Sequence, residues 1–267
     1  METKQYQNDL QKRLGGAIDV ISVYDEIDSS NTEAMRFLEN DDTRSRLIVA
    51  RSQTAGRGRR GRQWSSPLDS GLYMSLSRAL ACKAESIAGL SLVTALAVWQ
   101  ALNEAGAREI SLKWPNDVLH NDSKLGGILL ESRHLPDGIA VVFGIGINLD
   151  FSAQEQTAID RKLANLSEFV AAPISNPELV CTITRHLLRA IDCFLAQGFK
   201  PFQQPWNEAD QYLDAEVVVT NGVSEVIGRH CGVDRDGALL IETATGRQRI
   251  SGGEVFPSLR KSREELV

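Results

Sequence analysis

The chain has 267 residues, 42% hydrophobic and 24% charged, with a formal net charge of -6. That is globular composition with material for one large domain, or a medium and a small one. It excludes a chain that is basic throughout, as dedicated nucleic-acid binders usually are, and one with a stretch of eighteen or so apolar residues that would span a membrane.

In chain order, residues 1–14 are polar and mixed in charge, without the apolar segment of a signal peptide. Residues 4–14 are predicted as a short helix stopped by Gly15-Gly16, and residues 18–27 as an early strand. Asp28-Ser29-Ser30-Asn31-Thr32-Glu33 reads as a helix start, with a Ser or Asn cap and Glu33 in the first turn. Capping alone accounts for Ser29, Ser30 and Asn31, yet three short polar side chains there also suit a small polar ring. Residues 47–51 are a strand feeding the loop Gly56-Arg57-Gly58-Arg59-Arg60-Gly61-Arg62-Gln63-Trp64, with Gln53 at its root. Residues 71–77 alternate as a half-buried strand, and residues 84–105 carry a helical apolar face ended by Gly106. Strands follow at 109–114, 118–120, 123–132 and 139–147, with a hairpin turn at 135–138. The last two carry the glycine pairs Gly126-Gly127 and Gly144/Gly146. Such pairs weaken strands, and two in neighbouring strands suggest a sheet surface left bare for a ligand, a bulge or bend being the plainer reading. Residues 153–213 are helical in three pieces, and from Asp214 short strands joined by tight turns predict a small β-barrel.

The Gly/Arg loop is the richest stretch. Arginine's planar fork matches phosphate or carboxylate oxygens, and glycine allows close approach. Gly56, Gly58 and Gly61 satisfy G-x-G-x-x-G, but Trp64 to Gly71 is turn composition where a dinucleotide site needs a helix. A solvated basic loop, or one touching nucleic acid, is the bland alternative. Neither a phosphate-binding G-x-x-x-x-G-K-[ST] nor a G-x-S-x-G elbow occurs. The four cysteines and four histidines are scattered, without metal-ligand or disulfide spacing. Arg57, Arg59 and Lys124 suit the joining of a carboxylate to the α-phosphate of ATP, where fixed cations and Mg2+ offset charge and no general base is needed. Asn116 or Asp117 would hold the metal or the triphosphate, and Trp64 offers a flat face to an adenine.

Five stretches, in order, resemble the bacterial biotin protein ligases: Asp28–Asn31, Gln53–Arg62, Lys113-Trp114-Pro115-Asn116-Asp117, Lys124-Leu125-Gly126-Gly127-Ile128-Leu129 and Gly144–Asn148. The resemblance covers about residues 18–260 and implies an α+β fold. A mixed β-sheet flanked by helices would form the catalytic domain (18–213), after a short extension (1–17) and before an SH3-like β-barrel (214–267). It implies two half-reactions: biotin and MgATP form biotinyl-5′-adenylate, which then acylates a lysine of the biotin carboxyl carrier protein of acetyl-CoA carboxylase. By the same likeness Ser29, Ser30, Asn31, Gln53, Arg57, Gly58, Arg59, Lys124 and Gly127 would surround biotin. Gly56, Arg57, Arg59, Trp64, Asn116, Lys124 and Asn148 would surround ATP or the adenylate. Lys124 and Arg59 would be catalytic, and Asp117 would bind Mg2+. Family members usually have threonine at the position of Ser30. Many bacterial members carry an N-terminal helix-turn-helix domain, for which seventeen residues are too few, so no operator binding is expected. Without a signal-peptide segment or a membrane-length apolar stretch, a cytoplasmic enzyme with no membrane association is expected, as a monomer or a homodimer paired through a sheet edge. A lipoate ligase on the same fold, or a DNA-binding sensor, are the rival readings.

Overall fold

The computed structural model describes residues 2–83, 87–157, 162–170, 175–221 and 223–257. Its centre is a seven-stranded mixed sheet of order β1-β2-β3-β7-β6-β5-β4. The strands are β1 (Val20–Ile27), β2 (Arg46–Gln53), β3 (Gly71–Leu80), β4 (Ile110–Lys113), β5 (Asp117–His120), β6 (Ser123–Leu135) and β7 (Gly138–Asn148). Only β1 and β2 run parallel; every other neighbouring pair is antiparallel. The crossover between β1 and β2 is α2 (Ser30–Glu39), as a parallel connection requires.

The period-2 pattern of β3, β6 and β7 sorts their residues onto two faces. Leu72, Met74, Leu76, Ile128, Phe143, Ile145 and Ile147 enter the large core. There they meet α3 (Leu90–Glu104) and α5 (Asn176–Gln197), while α1 (Thr3–Leu14) packs on β1 and α5. On the opposite face α2 lays Ala34 and Leu38 against Ile48, Ala140 and Val142. That helix covers part of the face only, and its N-terminus stops beside Gly144 of β7. The predicted helix over 84–105 starts at Leu90; residues 84–86 lie outside the described ones. Residues 3–14 are not a detached extension in packing terms, since Tyr6, Leu10 and Leu14 are buried in the large core.

After α4 (Ala153–Thr157), α5 and α6 (Lys200–Ala209), the chain forms β8 (Glu216–Thr220), β9 (Glu225–Val233), β10 (Leu239–Thr243), β11 (Gly246–Ile250) and β12 (Glu254–Pro257). These make an antiparallel sheet of order β11-β10-β9-β8-β12. The expected barrel is not closed: among the described residues β11 and β12 are edges that pair with one neighbour each. The Asn221-Gly222 turn of the sequence reading includes Gly222, outside the described residues. The small sheet docks tightly. Val217, Val219, Val233, Leu239, Ile241 and Val255 belong to the same buried cluster as the main sheet. The fully buried His230 ring faces Asp210 at 3.2 Å, and Trp206 Nε1 donates to the same carboxylate at 3.1 Å.

Candidate active site

A cavity of about 1010 Å³ opens between the glycine-bearing face of β3, β6 and β7, the Gly/Arg loop, the β4–β5 connection and β12. Six lysines and arginines line it against three carboxylates, so this cavity is cationic in an acidic chain. It brings together Ser29, Ser30, Asn31, Gln53, Arg57, Gly58, Arg59, Trp64, Asn116, Asp117, Lys124, Gly127 and Asn148. Gly56 lies just behind, where its carbonyl accepts from Trp64 N at 2.9 Å and closes the loop's neck.

At one end, the N-terminus of α2 is held by side chains. Ser29 caps it by accepting from Thr32 N, and Gln53 Oε1 accepts from Ser30 N at 2.7 Å. Gln53 Nε2 donates to Ser66 Oγ at 2.8 Å, tying the helix start to the exit of the loop. Asn31 turns toward the sheet instead. Its Oδ1 lies 2.6 Å from the buried Ser75 Oγ, and its Nδ2 donates to Glu131 Oε2 at 3.0 Å. Ser30 Oγ is 2.8 Å from the same Ser75 hydroxyl. Gly144 makes room for this: a Cβ there would stand 2.1 Å from Asn31 Oδ1.

The expected bare glycine surface exists, but a protein side chain lies on it. Gly127 pairs with Gly146 across β6 and β7, and the Trp64 indole rests over both. A Cβ on Gly146 would come within 2.6 Å of that ring. Trp64 Nε1 is buried without a hydrogen-bond partner, so an acceptor placed there would gain a donor; the Lys124 ammonium stands over the same ring, 5.3 Å from its centre.

At the other end is a cluster of opposite charges. Lys124 Nζ contacts Asp117 Oδ1 at 2.6 Å, and Lys113 Nζ lies 3.3 Å from Asp117 Oδ2. Burial pushes the Asp117 carboxyl pKa up, but the charges of Lys124 and Lys113 outweigh it and hold the pKa below the ordinary value. Lys124 reaches the cavity because of a bulge. The β5–β6 register runs Val118↔Gly126 and then Leu119↔Lys124, leaving Leu125 as an extra residue. Without it, alternation would put Lys124 on the face opposite Gly127. With it, Lys124 Nζ stands 3.3 Å from where a Gly127 Cβ would be. Asn148, buried on β7, donates to the Lys124 carbonyl at 2.9 Å and fixes the strand start.

Three arginines pin the loop to three different walls. Arg57 pairs with Glu131 of β6 at 2.8 Å, Arg59 Nη1 donates to Asn116 Oδ1 at 2.9 Å, and Arg62 pairs with Glu254 of β12 at 2.8 Å. Asn116 is itself clamped, donating from Nδ2 to the Ile128 carbonyl at 2.8 Å. Burial, with Arg60 beside it, lowers the Arg59 pKa; a guanidinium stays charged regardless, so Arg59 is a desolvated cation that favours an incoming anion.

Asp117 does not fit a metal site. Both its oxygens already face ammonium groups, whereas Mg2+ wants near-octahedral oxygen ligands. Among the described residues no three His, Cys, Asp or Glu side chains gather as a metal site. The sequence reading missed Ser75, Glu131 and Glu254, and gave Lys113 no role of its own. Ser75 and Glu131 become visible only once β3 is registered on β7 and β7 on β6, and Glu254 only once the small sheet is docked.

Residues 23–150 match the Biotin/lipoate A/B protein ligase family, and residues 213–256 the Biotin protein ligase C terminal domain. Fold and site therefore define the class of cofactor–protein ligases. The Biotin--[acetyl-CoA-carboxylase] ligase of Paracoccus denitrificans is 35% identical over 86% of this chain and 97% of its own length. The Bifunctional ligase/repressor BirA of Escherichia coli is 32% identical, over 93% of this chain and 75% of that protein. The solved biotin protein ligase from Aquifex aeolicus in complex with biotin and ATP superposes with a TM-score of 0.75 at 29% identity, over 89% of this chain and 98% of that one. The chain belongs to the biotin protein ligase family.

Proposed function

We propose that the chain is an ATP-dependent biotin protein ligase acting on the biotin carboxyl carrier protein of acetyl-CoA carboxylase. The carrying observation is one cationic cavity that joins a polar helix N-terminus, a glycine floor and the Lys124–Asp117–Lys113 cluster. The cyclic urea of biotin needs paired donors and acceptors, which Ser29, Ser30, Asn31 and Gln53 supply. Its thioether ring and valeryl chain suit the floor of Gly127 and Gly146, with Trp64 moving or stacking to admit them.

In the first step a carboxylate oxygen of biotin bonds to the α-phosphorus of ATP, and the bond to the pyrophosphate oxygen breaks. Two anions approach, and negative charge grows on the leaving group. Lys124, Arg59 and Arg57 offset that charge in a site shielded from water. The metal of MgATP arrives with the nucleotide as part of the substrate. Gly56, Gly58 and the arginines between and after them close over the mixed anhydride, with Asn116 and Asn148 fixing the strands behind it. In the second step an unprotonated lysine amine of the carrier bonds to the acyl carbon, AMP leaves, and the amine loses a proton. Residues 18–213 would carry both steps, with residues 214–267 as the docked C-terminal domain. No described helix is long and apolar enough to cross a membrane, and a cytoplasmic enzyme agrees with carboxylase chemistry.

The test is exchange of labelled pyrophosphate into ATP with biotin, with lipoate, or with no acid. Exchange with biotin alone is expected. Exchange with lipoate alone contradicts the substrate assignment, and no exchange with either contradicts the activity.

A further inference from the structure

Two parts of the site meet on one carboxylate that does not itself line the cavity. Glu131 lies on β6, two residues beyond Leu129 on the glycine-bearing face. Its Oε2 accepts from Asn31 Nδ2 at 3.0 Å and from Arg57 Nη1 at 3.2 Å, and its Oε1 pairs with Arg57 Nη2 at 2.8 Å. Asn31 belongs to the first turn of α2, and Arg57 to the neck of the Gly/Arg loop. They share no backbone hydrogen bond; the glutamate is their common partner.

The geometry makes this a mechanical link. Asn31 is fixed at both ends of its amide, by Ser75 behind and by Glu131 in front, inside the space that Gly144 leaves. A fixed Asn31 orients the plane of the Glu131 carboxylate. Paired guanidinium–carboxylate contacts favour coplanar groups, so that plane orients the Arg57 fork. Arg57 adjoins Gly58, whose N–H donates to the Arg62 carbonyl at 2.7 Å and sets the loop's shape. The Arg57–Glu131 pair is about half exposed on the arginine side (48%), so it is weak enough to exchange when an anion competes for Arg57.

We propose that Glu131 is a positioning residue that couples occupancy of the biotin head-group pocket, through Asn31, to closure of the Gly/Arg loop, through Arg57. The inference rests on the ligase reading above. Glutamine at this position keeps an acceptor for Asn31 and loses the charge that holds Arg57; alanine loses both.

The experiment measures two quantities on wild type, Glu131→Gln, Glu131→Ala and Arg57→Ala: biotin affinity by calorimetry, and the rate at which preformed biotinyl-adenylate leaves the enzyme. Glu131→Gln should bind biotin within about twofold of wild type yet release adenylate roughly threefold faster, the scale of a lost partly exposed ion pair. Glu131→Ala should in addition weaken biotin binding about tenfold. Combining Glu131→Gln with Arg57→Ala should release adenylate no faster than Arg57→Ala alone, because both remove one interaction. Wild-type release from Glu131→Gln, or effects of the two substitutions that multiply, would overturn the coupling alone. A wild-type chain that binds no biotin would overturn the ligase reading together with it.

Discussion

Lys124 depends on one inserted residue. The bulge at Leu125 turns its ammonium onto the glycine-bearing face, where Asp117 holds it at 2.6 Å. If that cation offsets the charge of the adenylation transition state, Lys124→Ala should lower pyrophosphate exchange on the order of a thousandfold with the circular dichroism spectrum unchanged. Near-normal exchange would remove Lys124 from the chemistry. Gly144 offers a second residue-level test. A methyl there would collide with Asn31 Oδ1, so Gly144→Ala should raise the KM for biotin roughly tenfold and leave the KM for ATP near wild type; equal changes in both would assign Gly144 a general packing role. At this scale the lysine and the glycines were legible, because charge and missing side chains are written in the chain. The bulge was not, since nothing in Ser123-Lys124-Leu125 tells which residue the neighbouring strand will skip. Ser75 and Glu131 escaped for the same reason: they join the site by cross-strand register.

The Gly/Arg loop acts as an element because each of its pins rests on a different wall. Arg59 is the pin that reaches the β4–β5 connection. Arg59→Gly should loosen the adenylate, and labelling of lysines on a bystander protein should rise about tenfold; labelling that stays confined to the carrier would show that Arg59 does not retain the intermediate. The β4–β5 connection holds the other charge-bearing device, Asp117 between two lysines. The folded-state pKa of Asp117 is depressed, so its stabilising contribution is present above the unfolded pKa and lost as pH falls through the folded one. Asp117→Asn should therefore cost roughly 3 kcal/mol at neutral pH. That gap in denaturant-measured stability should close as the pH drops below about 4. A gap independent of pH would mean that the carboxylate charge is not what matters. The loop and the Lys-Trp-Pro-Asn-Asp stretch were legible as elements of a site. What each arginine holds was not, because residues 57, 59 and 62 find partners at 131, 116 and 254.

At the scale of the molecule, the two sheets share one buried core among the described residues. The change of period near Asp214 predicts a small β unit after the helices, but period alone does not reveal how deeply such a unit docks or whether it closes. Here Trp114 of the site motif donates from Nε1 to the Gly237 carbonyl at 3.1 Å, and Lys113 lies 5.6 Å from the centre of the Phe256 ring. With valines and isoleucines of both sheets in one core, calorimetry should record a single unfolding transition for the full chain. Two separated transitions would show that the C-terminal sheet stands alone. This cavity is proposed to activate biotin and deliver it to one carrier lysine. The most direct measurement is the intact mass of a purified biotin carboxyl carrier domain after incubation with the chain, MgATP and an equal mixture of biotin and lipoate. Addition of one biotin is expected, abolished when the acceptor lysine is replaced by arginine. An unmodified carrier, or one bearing lipoate, would contradict it.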